Sequence, residues 1–162
     1  MSEEKLRNEL YNSFKNRAMI YYQIYKELAE EFGTKRAEEL LSRAIYRRGE
    51  THGRKDFAQF APNNLAGLKA AFLDGIPDDG RMFQPEVVSS TADSLDITFH
   101  GCPLRDAWIE AGLPEEIAVA LCRIASQVDF GTFEGAGFRF TAETWQPGGA
   151  TCCHLHIRPG KP

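Results

Sequence analysis

The sequence lacks the features that define several large classes of protein. No apolar run approaches the ~20 residues that a membrane-spanning helix needs. The net charge is −4, so no overall basic field is present to hold nucleic acid. The first residues, Met1 to Lys5, are charged and do not form the apolar core of a signal peptide. We therefore expect a cytoplasmic protein whose partner is a small molecule, with neither nucleic acid nor a membrane as a partner.

Cysteine is scarce, with four residues at positions 102, 122, 152 and 153. This spacing is not that of a zinc ribbon. Cysteines of cytoplasmic proteins are usually reduced. We therefore expect free thiols and no disulfide.

The apolar pattern changes its period along the chain, and this change predicts the fold. Steps of three and four predict helices over residues 3–32, from 34 to about 49, and over 64–73. Steps of two predict strands over 86–90, 95–100, 138–145 and 151–158, with helices over 103–111 and 115–128 inserted between the two hairpins. Glycines at 49 and 53, and again at 131, 135 and 137, are interpreted as loops. The prediction is an α+β fold in one domain, 1–162, in which a mainly helical part, 1–76, packs on a small antiparallel sheet with two inserted helices, 77–162.

Cys102 is the most informative single residue. Pro103 suits the first position of a helix, where its missing N–H costs nothing, and this places Cys102 at the N-cap. Backbone N–H groups of Leu104 and Arg105, the helix dipole and the Arg105 charge would then favour a thiolate. Cys122, within the predicted helix 115–128, is by itself typical of a small core residue.

Polar residues collect on one face of the predicted sheet, because alternate residues of a strand point to opposite sides. They are Asp96, His100, Arg139, Glu143, Trp145, Cys152, His154, His156 and Arg158. Three interpretations are open. The face is simply solvated, or it lines a polar pocket in which Arg139 or Arg158 holds a carboxylate, or His154 and His156 bind a divalent metal. No acidic residue lies at a spacing diagnostic of a metal site. We therefore expect that the protein uses no cofactor, with a divalent metal as the alternative.

Three short motifs resemble the L-2-amino-thiazoline-4-carboxylic acid hydrolase family. They are Gly101-Cys102-Pro103 before a helix, Gly112-Leu113-Pro114 opening the helix that carries Leu121-Cys122, and the strand Gly149 to Leu155. The likeness extends over roughly residues 33–158. Cys153 is taken as the family's strand cysteine, since it alternates with apolar Leu155 and Ile157. Ala150 and Leu155 replace an acid and an aromatic residue of the family, which leaves open a relative acting on another ring.

The resemblance implies a hydrolase that opens a small C–N/C–S heterocycle. Cys102 would attack the amidine-like ring carbon, or His100 would activate water for direct attack. Cys153, Cys122 and Asp129 are candidates to protonate the leaving group or to orient the ring. Candidates to contact the substrate, with an arginine on its carboxylate, are Arg105, Arg139, Arg158, Trp145 and Glu143.

Two other functions compete with the hydrolase. The histidine-rich strand is also consistent with a sensor domain that binds a small molecule or a metal without turnover. A different cysteine enzyme, an isomerase or a lyase, would fit the same residues. His52, between two glycines of a predicted loop, is a candidate of a kind that is usually solvated. Tyr21, Tyr22, Ile24 and Tyr25 on the first helix would suit a homo-oligomer interface.

Overall fold

A computed structural model describes all residues, 1–162, and consists of five α-helices and four β-strands. In chain order the elements are α1 (Glu3–Phe32), α2 (Thr34–Asp56), α3 (Leu65–Asp74), β1 (Pro85–Ser90), β2 (Leu95–Phe99), α4 (Pro103–Glu110), α5 (Glu115–Ala136), β3 (Arg139–Glu143) and β4 (Cys153–Arg158). The predicted α+β class is confirmed. None of the five helices combines the length with the apolar character that crossing a bilayer would need.

The four strands form one antiparallel sheet in the order β1-β2-β4-β3. Leu155 of β4 is paired with Ile97 of β2 on one side and with Ala142 of β3 on the other. Leu155 and Ile97 are almost fully buried, as is Ile157 two residues further along β4. The period-two pattern thus places one apolar face of the sheet in the core, where it packs with the helices.

Helices α2 and α5 cross in backbone contact at their glycines. A Cβ atom built at Gly49 would overlap the carbonyl oxygen of Val128, and one at Gly53 would overlap that of Thr132. A Cβ at Gly131 would likewise meet the carbonyl oxygen of Tyr46. Gly49 was expected to end a helix, and Gly53 and Gly131 were expected to lie in loops. Instead, α2 continues to Asp56 and α5 to Ala136. Each glycine permits the close approach, and the packing outweighs its poor helix propensity.

The first helix is tied to α4 through Trp108. The indole nitrogen of this fully buried residue donates a 2.8 Å hydrogen bond to the carbonyl oxygen of Ala18. Of the aromatic residues expected at an oligomer surface, Tyr25 is buried in the core, and Tyr21 and Tyr22 pack against the core. Ile24 remains 43% exposed.

Candidate active site

A cavity of about 610 Å³ lies between the helices and the end of β2. Its wall contains residues from α1, α2, α3, α4 and α5, together with the segments that precede α4 and β4. All four cysteines and Asp129 line it. The thiols that the sequence separates by up to fifty-one residues, 102 to 153, therefore share one chamber.

Cys102 is the N-cap of α4, as predicted, with Pro103 at the first helical position. The Cys152 thiol beside it lowers the pKa of Cys102 most, by hydrogen bonding to the thiolate. Burial opposes this effect, and the backbone N–H groups of Arg105 and Leu104 lower the pKa further. The balance keeps the pKa of Cys102 below that of an ordinary thiol, so the thiolate form is more accessible at Cys102 than at an ordinary cysteine.

Cys152 was expected on the polar face of the last strand, and this placement is wrong. The strand begins only at Cys153, and Cys152 lies in the preceding bend, with 3% of its surface exposed. Its sulfur is 3.5 Å from the sulfur of Cys153, and both residues line the cavity. Hydrogen bonding to Cys102 raises the pKa of Cys152, so Cys152 keeps its proton and acts as the donor.

Cys122 and Asp129 both lie on α5 and face the cavity. Burial raises the pKa of the Cys122 thiol, which makes it an unreactive neutral group. Asp129 was expected after the end of the helix, but α5 continues past it. No group donates a hydrogen bond to its carboxyl oxygens, and desolvation raises the pKa of Asp129 to about 7. A carboxyl group with this pKa can give and take a proton at neutral pH.

His52 and Asp56 form a pair on the cavity wall; the sequence pointed to His52, as a loop residue, but not to Asp56. They are one turn apart on α2, and the Nδ1 atom of His52 is 2.7 Å from the carboxylate of Asp56. This contact leaves the second ring nitrogen, Nε2, free of protein partners. On a helix, the spacing of four residues between His52 and Asp56 would have predicted this contact. It was missed because Gly49 and Gly53 were interpreted as a loop.

Arg17 is the other residue that the sequence did not single out. It is the one Lys or Arg side chain in the wall, and its guanidinium lies 4.4 Å from the ring centroid of Phe14. No carboxylate pairs with it, whereas most other arginines of the chain have an acidic partner. An unpaired guanidinium beside a cavity suits an anionic ligand.

His100, predicted to activate water, does not reach the cavity. Its Nε2 atom lies 2.6 Å from the Glu86 carboxylate on the exposed side of the sheet. Because Phe99 points inward, the next residue must point outward.

The five predicted substrate contacts lie outside the cavity wall. Arg139 donates to the carbonyl oxygen of Pro159 at 2.9 Å, and Arg158 lies 2.7 Å from Asp96. Glu143 accepts from His156 at 2.6 Å. All three belong to the sheet face that points away from the helices. The alternating pattern correctly predicted that they share a face, but it could not show that this face lies away from the cavity.

The remaining two are held elsewhere. Trp145 is buried in the core at 9% exposure. Arg105 is paired with Asp106 at 2.9 Å and acts on Cys102 through its N–H and its charge. Neither is positioned to contact a ligand in the cavity.

The histidines considered as metal ligands are engaged with protein groups. His156 contacts Asp96 at 2.8 Å and Glu143 at 2.6 Å through its two ring nitrogens. His154 contacts Thr98 at 2.9 Å and Thr151 at 3.0 Å. No group of three His, Cys, Asp or Glu side chains is arranged to hold a metal ion. The geometry therefore offers no support for the metal-binding alternative.

Comparison with known proteins gives one family and two informative structures. The model of the family described as L-2-amino-thiazoline-4-carboxylic acid hydrolase matches residues 13–157. None of the curated proteins matches the chain. The phenol-responsive sensory domain of the transcription activator PoxR, solved with phenol, has a TM-score of 0.56 and 12% identity, covering 87% of this chain and 73% of that one.

The second structure is trafficking protein particle complex subunit 3 from Naegleria fowleri, covalently bound to palmitic acid. It has a TM-score of 0.52 and 15% identity, covering 92% of this chain and 96% of that one. At such identities both structures show a shared fold alone.

Proposed function

The chain belongs to the L-2-amino-thiazoline-4-carboxylic acid hydrolase family, and we propose that it opens a small C–N/C–S heterocycle by nucleophilic attack of Cys102. One observation carries this proposal. The helix-capping thiol with a lowered pKa lines the same cavity as Asp129, a carboxyl group whose pKa is about 7. A nucleophile and a proton donor suited to neutral pH are the two groups that such a reaction needs first.

The first step forms one bond and breaks another. The Cys102 thiolate attacks the ring carbon that lies between the ring sulfur and nitrogen. The bond from this carbon to the ring sulfur breaks, and the leaving sulfur takes a proton, for which we assign Asp129 as the donor. The product of the step is an amidine carbon joined to Cys102, with the opened substrate carrying a free thiol.

The second step consumes water and regenerates the enzyme. Water attacks the amidine carbon, and His52 accepts a proton from it at Nε2 while Asp56 holds Nδ1. The bond from this carbon to Cys102 breaks, releasing a carbamoyl product and the Cys102 thiolate. The second proton of the water passes to the nitrogen of the opened ring, and the proton held by His52 returns through solvent to Asp129. Of the four histidines of the chain, His52 alone lines the cavity.

We assign Cys102 and not Cys122 or Cys152 as the nucleophile because of the protonation states of these thiols. The pKa values of Cys122 and Cys152 are raised, by burial and by hydrogen bonding to Cys102 respectively. A raised pKa leaves almost no thiolate at neutral pH. Cys153 borders the same chamber through its contact with Cys152, and its role there is to help orient the ring.

Arg17 takes the place of the three arginines that the sequence suggested. It is the single permanent cation on the wall and has no acidic partner. Its guanidinium would hold the carboxylate of the substrate, while the ring lies against the thiols.

The test is turnover of L-2-amino-thiazoline-4-carboxylate, followed by the appearance of the product thiol and the carbamoyl group. We expect turnover in the wild-type protein, loss of it in Cys102→Ser, and retention in the control Cys122→Ser. Turnover that survives in Cys102→Ser would refute the nucleophile assignment. Tight binding of the ring without any turnover would instead favour a sensor domain.

A further inference from the structure

Six rings form an unbroken aromatic belt along the wall of the cavity. Neighbouring ring centroids are 5.7, 5.7, 6.4, 6.2 and 5.2 Å apart in the order Phe14, Phe83, Phe99, Phe72, Phe57 and His52. The members come from α1, α2, α3, β2 and two connecting segments, so no single periodic pattern in the sequence reveals the belt.

The belt is only partly covered by protein. Phe14, Phe72 and Phe83 all line the cavity and are only half-buried. Concave apolar surface that is open to solvent is typical of a ligand site. Contact of such a surface with water is unfavourable, and an apolar ligand would remove that contact. The uncovered faces therefore indicate a ligand with a large apolar part.

The size of the chamber points the same way. At about 610 Å³ it lies within the range of roughly 300–1,000 Å³ in which proteins enclose drug-sized ligands. A single five-membered ring with an amino group and a carboxylate fills a small part of such a volume. The rest of the chamber would remain water against aromatic surface.

The belt connects the groups that the proposed reaction uses. At one end the Arg17 guanidinium lies over the Phe14 ring. In its middle, the carbonyl oxygen of Phe99 accepts a 2.8 Å hydrogen bond from the backbone N–H of Cys152, beside the thiols. A ligand lying on the belt would thus have its anionic group near Arg17 and its ring near Cys102.

We propose that the natural substrate is an anionic heterocycle carrying an aryl group, or an apolar substituent of similar size, that stacks on the aromatic belt. This inference rests on the proposed function for the position of the ring and of the carboxylate. What it adds to the proposed function is the apolar substituent. The aromatic belt and the volume of the cavity support this substituent independently of the proposed reaction. Rings prefer edge-to-face or offset contacts with aromatic neighbours, and the belt offers both.

The first experiment compares kcat/KM for 2-amino-thiazoline-4-carboxylate and its 5-phenyl derivative. We expect the phenyl derivative to be preferred by roughly tenfold to a hundredfold, the range for burying one group of this size. Phe83→Leu should narrow this preference, because it should lower kcat/KM for the phenyl derivative more than kcat/KM for the unsubstituted ring. The control is Phe130→Leu, because Phe130 packs on Phe140 at 4.8 Å and does not line the cavity. Equal kcat/KM for the two substrates would overturn the inference and leave the hydrolase proposal intact.

The second experiment does not depend on turnover. Calorimetry would compare 3-phenylpropionate with propionate, which share the carboxylate and differ in the ring. We expect the phenyl compound to bind at least roughly tenfold more tightly in the wild-type protein, and this advantage to shrink in Phe83→Leu. Equal affinities would refute the aromatic site even if the hydrolase is active. A clear preference without turnover of either thiazoline would support the site and refute the hydrolase.

Discussion

The backbone N–H of Cys152 donates a hydrogen bond of 2.8 Å to the carbonyl oxygen of Phe99. This contact continues the pairing of β2 with β4 by one residue beyond Phe99 and Cys153. It draws together the two segments that follow β2 and precede β4, and so brings the thiols of Cys102 and Cys152 side by side. The pKa of one cysteine is thereby lowered by another that lies fifty positions away in the sequence.

Replacing Cys152 by Ala should raise the pKa of Cys102, because the largest influence that lowers it is the Cys152 thiol. The rate of alkylation of Cys102 by iodoacetamide, measured against pH, should shift to higher pH. In the wild-type protein Cys102 should react much faster than Cys122. Cys122→Ala serves as the control, and an unchanged profile in Cys152→Ala would contradict the assignment of the hydrogen-bond donor.

Asp129 should make stability depend on pH. Its pKa is about 7 in the folded protein against an ordinary value of 3.8, so the folded state retains a proton that the unfolded state has lost. The stability present below about pH 4 is therefore lost as pH rises toward 7. Asp129→Asn should stabilise the protein at pH 8 by up to roughly 4 kcal/mol and change little at pH 4.

Urea denaturation at the two pH values would measure this effect. The matched control is Asp93→Asn, an exposed carboxylate in the turn between β1 and β2. The role of Asp129 as proton donor can be tested by activity measurements. In the wild-type protein kcat should fall above about pH 7, because Asp129 then loses its proton. An Asp129→Asn variant with full activity would exclude Asp129 as the proton donor.

Loss of the His52 base should slow the second step more than the first. We expect His52→Ala to lower kcat by roughly 10²–10⁴-fold and to accumulate a substrate adduct on Cys102, visible by mass spectrometry. Asp56→Asn should lower kcat less, because the ring remains present but its orientation is no longer fixed. His100→Ala, at the surface beside Glu86, is the control and should retain kcat. Equal losses in His52→Ala and His100→Ala would be incompatible with the role assigned to His52.

Gly53→Ala should destabilise the protein by about 1–3 kcal/mol, since its new methyl group would collide with the backbone of Thr132. This cost outweighs the gain of up to ~1 kcal/mol that alanine brings to a helix interior. Gly75→Ala is the matched control, because a Cβ there would lie at an ordinary 3.4 Å from its nearest neighbour. The midpoint of thermal unfolding measures the stability of each variant. Similar midpoints for the two variants would argue against the close crossing of α2 and α5.

Much of the fold could be predicted because its signals are local. The change of period predicted the helices and the four strands, and Pro103 predicted the cap at Cys102, which the structure confirms. The motifs of the second half indicated a family whose model does match residues 13–157. The catalytic and binding roles of the individual residues remain predictions.

The errors have one physical origin, which is that tertiary contacts decide what a local pattern leaves open. Gly49 and Gly131 were interpreted as helix ends because the second backbone packed against them leaves no local signal. This interpretation hid the pairing of His52 with Asp56 and misplaced Asp129. Alternation showed that Arg139 and Arg158 share a face, but not that this face points away from the helices. Arg17 gave no local signal, since an arginine on a charged helix is usually solvated.

The glycine crossing has a mechanical consequence. His52 is adjacent to Gly53 on α2, and Asp129 is adjacent to the Val128 carbonyl on α5 that Gly49 touches. With no side chains between the two backbones, there is no compressible layer through which these helices could slide or separate. The distance from His52 to Asp129 is thus set by the scaffold. If the proposed reaction holds, a change in ligand preference would come from the parts of the cavity wall on α1 and α3, which lie outside this crossing.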